Sequence, residues 1–189
     1  IEPKVVDVSH PKQVAQLIND VVEAHGAIDL LVNNAGVNIR ERTVEKISLD
    51  DWDYLIRVNL SGAFYMVREV LPTMRRQKDG VIVNVSSIAG VRPSPLGGVA
   101  YSASKFGVTA MSGVVGLEEA HHGIRSSVIC PGEINTPILD DRPEPVSAER
   151  RARMLQPDDV ADAVLLIAKL PARAHIPELI IKPTSQAFA

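Results

Sequence analysis

The sequence predicts an α/β domain built on a doubly wound parallel sheet, and three observations carry that prediction. Short, continuous apolar runs recur along the chain, at 28–33, 81–86 and 125–130. Segments with apolar residues at helical spacing separate them, and strands that alternate with helices pair in parallel. The runs lack an in/out alternation, which is the pattern of strands covered on both faces. At 189 residues the chain is long enough for one such domain with a sizeable core and too short for two.

The elements follow in order. Lys4-Val5-Val6-Asp7-Val8 reads as an opening strand. Ser9 reads as an N-cap with Pro11 in the first helical turn, Val14, Leu17, Ile18, Val21 and Val22 fall at helical spacing, and Gly26 stops the helix. After the strand at 28–33, Ser48 caps a long helix over 49–76, with Trp52 and Tyr54 packing its start. The strand at 81–86, a Gly- and Pro-rich loop at 92–98 and a helix over 100–121 come next. The strand at 125–130 stops at Pro131-Gly132, Pro157 opens a final helix running to 168, and 179–181 is the last strand. The proline-rich stretch 137–145 is the one candidate mobile loop.

Composition narrows the function. Hydrophobic residues make up 46% of the chain, charged residues 23%, and the formal net charge is −3, the balance of an ordinary soluble globular protein. No basic patch marks a nucleic-acid partner, and the run Arg150-Arg151-Ala152-Arg153 after Glu149 reads as a solvated face. No apolar stretch has the length of a membrane span. Cys130 is the single cysteine, so no internal disulfide forms and a reducing, cytoplasmic compartment is expected. The five histidines, at 10, 25, 121, 122 and 175, lack ligand spacing, and no metal site is expected.

Chemistry concentrates at one sheet edge. In Tyr101-Ser102-Ala103-Ser104-Lys105 the tyrosine and lysine lie four apart, on one face of a helix. A phenol with a pKa near ~10 is a poor acid or base at neutral pH, and a nearby ammonium lowers it toward the working range. Asn33-Asn34-Ala35-Gly36 ends one strand, Asn84-Val85-Ser86-Ser87 the next, and Pro131-Gly132 the one after. Three successive strands thus put polar or glycine residues at their carboxyl ends, where open parallel sheets bind ligands.

These motifs, in this order, resemble the short-chain dehydrogenase/reductase family, and the resemblance runs from Asp7-Val8 to the end of the chain. It implies a Rossmann-like domain and a nicotinamide-dependent oxidoreductase that interconverts a secondary alcohol and a ketone. It makes Tyr101 the proton donor or acceptor at the substrate oxygen. Lys105 would hold the nicotinamide ribose and depress the tyrosine pKa. Ser87 would hydrogen-bond the substrate oxygen, with Ser86 the alternative. Ser87 lies fourteen residues before Tyr101, one more than in many relatives, which an extra residue in the 92–98 loop absorbs. Asn59, in Val58-Asn59-Leu60-Ser61-Gly62, matches the helix asparagine that holds a proton-relaying water. Asp7 and Val8 match the adenine contact, Asn34, Ala35 and Gly36 the cofactor-facing turn, and Pro131, Gly132, Ile134 and Thr136 the segment covering the nicotinamide carboxamide. The family is usually dimeric or tetrameric, so a homodimer or homotetramer is implied.

The family's glycine-rich phosphate turn has no counterpart here: no G-x-x-x-G-x-G run occurs. The first resemblance is to the third strand of the fold, so two strands and two helices, roughly fifty residues, are expected to be missing from the N-terminal side. In the family's strand order 3-2-1-4-5-6-7, the segments 4–8 and 28–33 would then stand about three spacings apart, roughly 14 Å. The residue that selects NAD or NADP belongs to the same missing part. The ending, Lys169-Leu170-Pro171-Ala172-Arg173 and 178–184, resembles NADP-dependent 3-hydroxy acid dehydrogenases. NADP is therefore expected, with NAD possible, and a 3-hydroxy or 3-oxo acid as substrate. The alternatives are a 3-oxoacyl-carrier-protein reductase, or a truncated protein that keeps the fold without the chemistry.

Overall fold

The computed structural model describes residues 2–187. Four strands form one parallel sheet in the order β1-β2-β3-β4: β1 Leu30–Asn33, β2 Gly80–Val85, β3 Ile124–Pro131 and β4 Glu178–Ile181. Helices α1 (Pro11–His25), α2 (Leu49–Ile56), α3 (Gly62–Gln77), α4 (Val99–Glu119), α5 (Ala148–Arg151) and α6 (Pro157–Lys169) alternate with them. This is the doubly wound Rossmann-like architecture expected from the alternating pattern.

The two-residue period of a strand divides the core. Leu31, Ile82 and Ile124 face one side and pack with Ile18 of α1, Val67, Val70 and Met74 of α3 and Val115 of α4. Val81, Val83 and Ile129 face the other and pack with Val160, Ala163 and Ile167 of α6. Glu119, buried at the end of α4, accepts from Arg75 Nε of α3 at 2.8 Å and from Arg75 Nη2, tying the two helices together.

Several expectations are corrected. Residues 4–8 do not form a strand: no neighbouring backbone among the described residues pairs with them, and an extended segment without a ladder is not a strand. The segment ends instead in a turn, where the Asp7 carboxylate accepts from Ser9 N–H and Val8 packs against Gly62. The N-cap of α1 is His10 rather than Ser9, because Gln13 and Val14 N–H both reach His10 O. β1 begins at Leu30, not at 28, since the Gln77 side chain takes both the N–H and the carbonyl of Ile28. Nor is β1 covered on both faces: Leu31 is buried, but Leu30 and Val32 are each 38% exposed, as befits a strand paired on one side only. Tyr54 points outward rather than packing the start of its helix. The stretch expected to be a mobile loop from 137 contains a short 3-10 helix, Pro137–Asp141.

The helix expected over 49–76 carries a local widening. Ser48 caps it, its Oγ accepting from Asp51 N–H at 3.0 Å, but a π turn, Arg57–Ser61, separates α2 from α3. Such a turn holds one extra residue and is frequent at functional sites. Here it carries Asn59, which is almost wholly buried.

Candidate active site

The carboxyl ends of β1, β2 and β3 open into a cleft of about 530 Å³. Its floor and walls include Asn34 and Gly36 after β1, Ser87 after β2, Tyr101 and Lys105 on α4, and Pro131, Gly132, Ile134 and Thr136 around and after the end of β3. Asn38, Arg42, Leu96, Glu133, Leu139, Arg142 and Gln186 are among the other residues lining it.

Helix α4 places the tyrosine and lysine. One turn separates them, so Lys105 Nζ stands 5.7 Å from the Tyr101 ring centroid. The ammonium is buried, donates to Val85 O at 2.9 Å, and burial lowers its pKa to about 8. An ammonium has three donors, and that carbonyl is its one hydrogen-bond partner among the described residues. The others are left for a ligand. Burial raises the Tyr101 pKa, opposed by a hydrogen bond with the Ser87 side chain and by the charge of Arg42. Ser87 and Arg42 thus act on the phenol against burial, and the Lys105 ammonium stands 5.7 Å from its ring centroid.

The two serines after β2 separate cleanly. Ser86 Oγ is buried between α4's Lys105 O, to which it donates at 2.9 Å, and Thr109 Oγ1, also at 2.9 Å. Ser87 Oγ accepts from Ala89 N–H at 3.1 Å at the start of the short 3-10 turn Ile88–Gly90 and reaches Tyr101. Ser87, not Ser86, stands beside the phenol. That turn lies tight on α4: a Cβ at Gly90 would overlap Ser86 Oγ and come within 2.7 Å of Lys105 O. Gly90→Ala is expected to destabilise the fold by about 1–3 kcal/mol, the usual cost of overpacking against backbone. A denaturation midpoint unchanged from wild type would contradict that packing.

Asn59 does not point at open space. Its Oδ1 accepts from Val37 N–H at 2.8 Å, and its Nδ2 donates to Val37 O at 3.0 Å and to Ser104 Oγ at 3.2 Å. The π turn thus clamps the chain just after Asn34-Ala35-Gly36. A Cβ at Gly36 would lie 3.3 Å from Lys105 Nζ and 3.6 Å from Asn59 Oδ1, so this turn runs in contact with both side chains. Asn84, expected at the rim, is instead wholly buried, accepting from Asn33 Nδ2 at 2.9 Å and donating to Ser112 Oγ at 3.2 Å. Asp7, Val8 and Ala35 are not among the cleft residues; the Asp7 carboxylate lies 3.0 Å from His10 Nδ1, and hydrogen bonds from Ser9 first, then His10, hold its pKa below the usual carboxylate range.

Sequence reasoning missed Arg42 and Gln186. They lie in loops without periodicity, and only the fold carries them to the cleft. Cations dominate the charged lining: Arg42, Lys105 and Arg142 against the single carboxylate of Glu133. Among the described residues no cluster of His, Cys, Asp and Glu suits a metal ion.

A family model described as short chain dehydrogenase matches residues 1–146. The chain is 36% identical over 173 residues to a 3-oxoacyl-(acyl-carrier-protein) reductase of Thermotoga maritima, covering 89% of this chain and 70% of that protein. It is 34% identical over 160 residues to a D-beta-hydroxybutyrate dehydrogenase of Rhizobium meliloti, covering 85% of this chain and 60% of that one. Among solved structures, the closed form of a serine dehydrogenase complexed with NADP+ superposes with a TM-score of 0.88 at 31% identity, over 97% of this chain and 76% of that chain. The chain belongs to the short-chain dehydrogenase/reductase family and is an NAD(P)-dependent oxidoreductase of the alcohol–ketone type.

Proposed function

We propose that Tyr101, Ser87 and Lys105 carry the proton side of this reaction, with Asn59 positioning them, and that the cofactor is NADP rather than NAD. The observation that carries the reading is the convergence of the three side chains on one cleft at the carboxyl ends of β1 to β3. When bound, the nicotinamide gives or takes the hydride. Ser87 and Tyr101 hydrogen-bond the substrate oxygen, and the Tyr101 phenol gives it a proton in reduction or removes one in oxidation. Lys105 offers its spare donors to the ribose hydroxyls, and Asn34, Gly36, Pro131, Gly132, Ile134 and Thr136 border the cofactor. The residues present fit that group, since the Lys105 ammonium is buried with donors unspent on the wall of a cleft that Asn34 and Gly36 also line. Asp7 and Val8 are retained as the adenine contact.

Preference for NADP draws support from the ending of the chain and from the NADP complex among its structural neighbours. Fluorescence titration of the full-length protein with NADPH and NADH tests it. Tighter binding of NADPH is expected, and tighter NADH binding would overturn the preference. We propose a 3-hydroxy or 3-oxo acid as substrate; the hydroxybutyrate and serine dehydrogenases among the relatives favour that class, while the acyl-carrier-protein reductase favours a thioester. A homodimer or homotetramer is proposed from the exposed apolar stripe of α4, Phe106, Val114 and Leu117, and light scattering reads it directly. No helix among the described residues is long and apolar enough to cross a membrane; a cytoplasmic location is proposed from the lone, buried Cys130.

A further inference from the structure

Arg42 is a buried cation with only neutral partners. The residue is 5% exposed, yet it lines the cleft that holds Tyr101. Its Nη1 donates to Leu96 O at 3.0 Å and its Nη2 to Asp141 O, so the guanidinium clasps the 92–98 loop to the 3-10 turn at Pro137–Asp141. A guanidinium has five N–H donors; the Nε donor is buried without an acceptor. No carboxylate lies within ion-pairing distance of it among the described residues. The exposed Asp141 carboxylate supports the Arg42 charge without pairing with it, while another cation, Arg142, opposes it; Arg142's own partner, Glu133 at 2.9 Å, is shared with Arg150. Burial first, and then Arg142, work against the charge on Arg42.

A buried charge without a counter-ion is costly, and an anion arriving in the cleft would offset that cost. The candidate positions for that ligand are narrow. Arg42 and Tyr101 line the same cleft, so an anion held at Arg42 shares that cleft with the oxygen at Tyr101. The planar fork of a guanidinium matches a carboxylate in particular.

We propose that Arg42 is the anion-binding residue at the substrate end of the cleft, and that the substrate is a free acid whose carboxylate seats against it. The inference rests on the reading of this cleft as the site of alcohol–ketone oxidoreduction and separates the free acid from the carrier-bound thioester, which has no carboxylate to offer.

Two pairs of probes on the full-length protein test it. Calorimetric titration compares butyrate with butyramide, equal in shape and different in charge. Butyrate is expected to bind about tenfold tighter or more, as hydrogen bonds to a charged group imply. Arg42→Met is expected to bring the two within about threefold, and Arg42→Lys to keep part of the preference. Equal binding by the wild type overturns the inference and needs no variant, so a poorly folded Arg42→Met leaves it falsifiable. A preference surviving intact in folded Arg42→Met overturns it as well. The second pair is 3-hydroxybutyrate and its methyl ester as substrates. The acid is expected to have the higher kcat/KM, through KM, with the difference lost in Arg42→Met. If the ester is oxidised as well as the acid, Arg42 is only a clasp and the reading of the active site stands. If butyrate binding depends on Arg42 but neither compound is oxidised with NADP or NAD, the anion site stands and the proposed 3-hydroxy acid substrate falls.

Discussion

Tyr101→Phe is expected to lower kcat by about 10²–10⁴-fold while leaving the fold unchanged, because the phenolic oxygen alone carries the proton. The substitution removes one oxygen, hydrogen-bonded to Ser87, from a partly buried ring whose packing on α4 is otherwise kept. A stability change within about 1 kcal/mol follows, the usual worth of one neutral hydrogen bond. No other acid or base takes over: Ser87 is not a base, and the Lys105 ammonium is turned to Val85 O. The same geometry gives a sign for pH. The Tyr101 phenol is held above its ordinary pKa by burial, so it is protonated at neutral pH and ready to donate in ketone reduction. Alcohol oxidation needs the phenolate and is expected to accelerate as pH rises, while reduction slows. Turnover of the full-length Tyr101→Phe variant within threefold of wild type would sink the assignment, as would pH profiles of the same slope in both directions.

How much of this was legible beforehand depends on the kind of signal. The strands β2 and β3 and the helix α4 announce themselves through period and length, and Tyr101 and Lys105 through the four-residue spacing that puts both on one helical face. The division of Ser86 from Ser87 was half legible. Alternation along the chain end of β2 says that they point apart, but not which side meets α4; the close approach of Gly90 to Lys105 O decides it. Asn59 could be singled out as an odd residue in a helix, yet its role as a clamp on Val37 needs the π turn, which leaves no periodic trace. Asn84 misled because an amide at a strand end looks like a rim donor, whereas pairing with Asn33 and Ser112 buries it. Residues 4–8 have the composition of a strand, but strand formation is a property of a pair, and no strand among the described residues pairs with them. Arg42 gave no signal at all: its meaning lies in an unpaired Nε and two carbonyls 54 and 99 residues away along the chain.

Lys105→Met is expected to make the protein more stable and far less active at once. The ammonium is buried beside the Tyr101 ring with one carbonyl as partner, and its pKa falls from 10.5 to about 8. A cation whose folded pKa lies below its unfolded value is a cost to folding, fully present below pH 8. Between pH 8 and 10.5 the unfolded chain still holds the proton that the native protein has released, so the stability of the wild type rises with pH across that window. Two to three pKa units correspond to roughly 3 kcal/mol. Losing the charge-assisted bond to Val85 O offsets about 2 kcal/mol of that, and a methionine of similar length fills the space. A net gain of about 1 kcal/mol at pH 7 is therefore expected in chemical denaturation, shrinking toward zero or reversing by pH 10. Activity moves the other way: a positioned donor in an active site is worth about 10²–10³-fold, so kcat/KM should fall by that much. Fold stability and function would then be traded at one side chain. A variant that is less stable at pH 7, or a wild type whose stability is flat from pH 8 to 10, would show that the buried ammonium is satisfied within the fold. It would then not be held ready for a ligand.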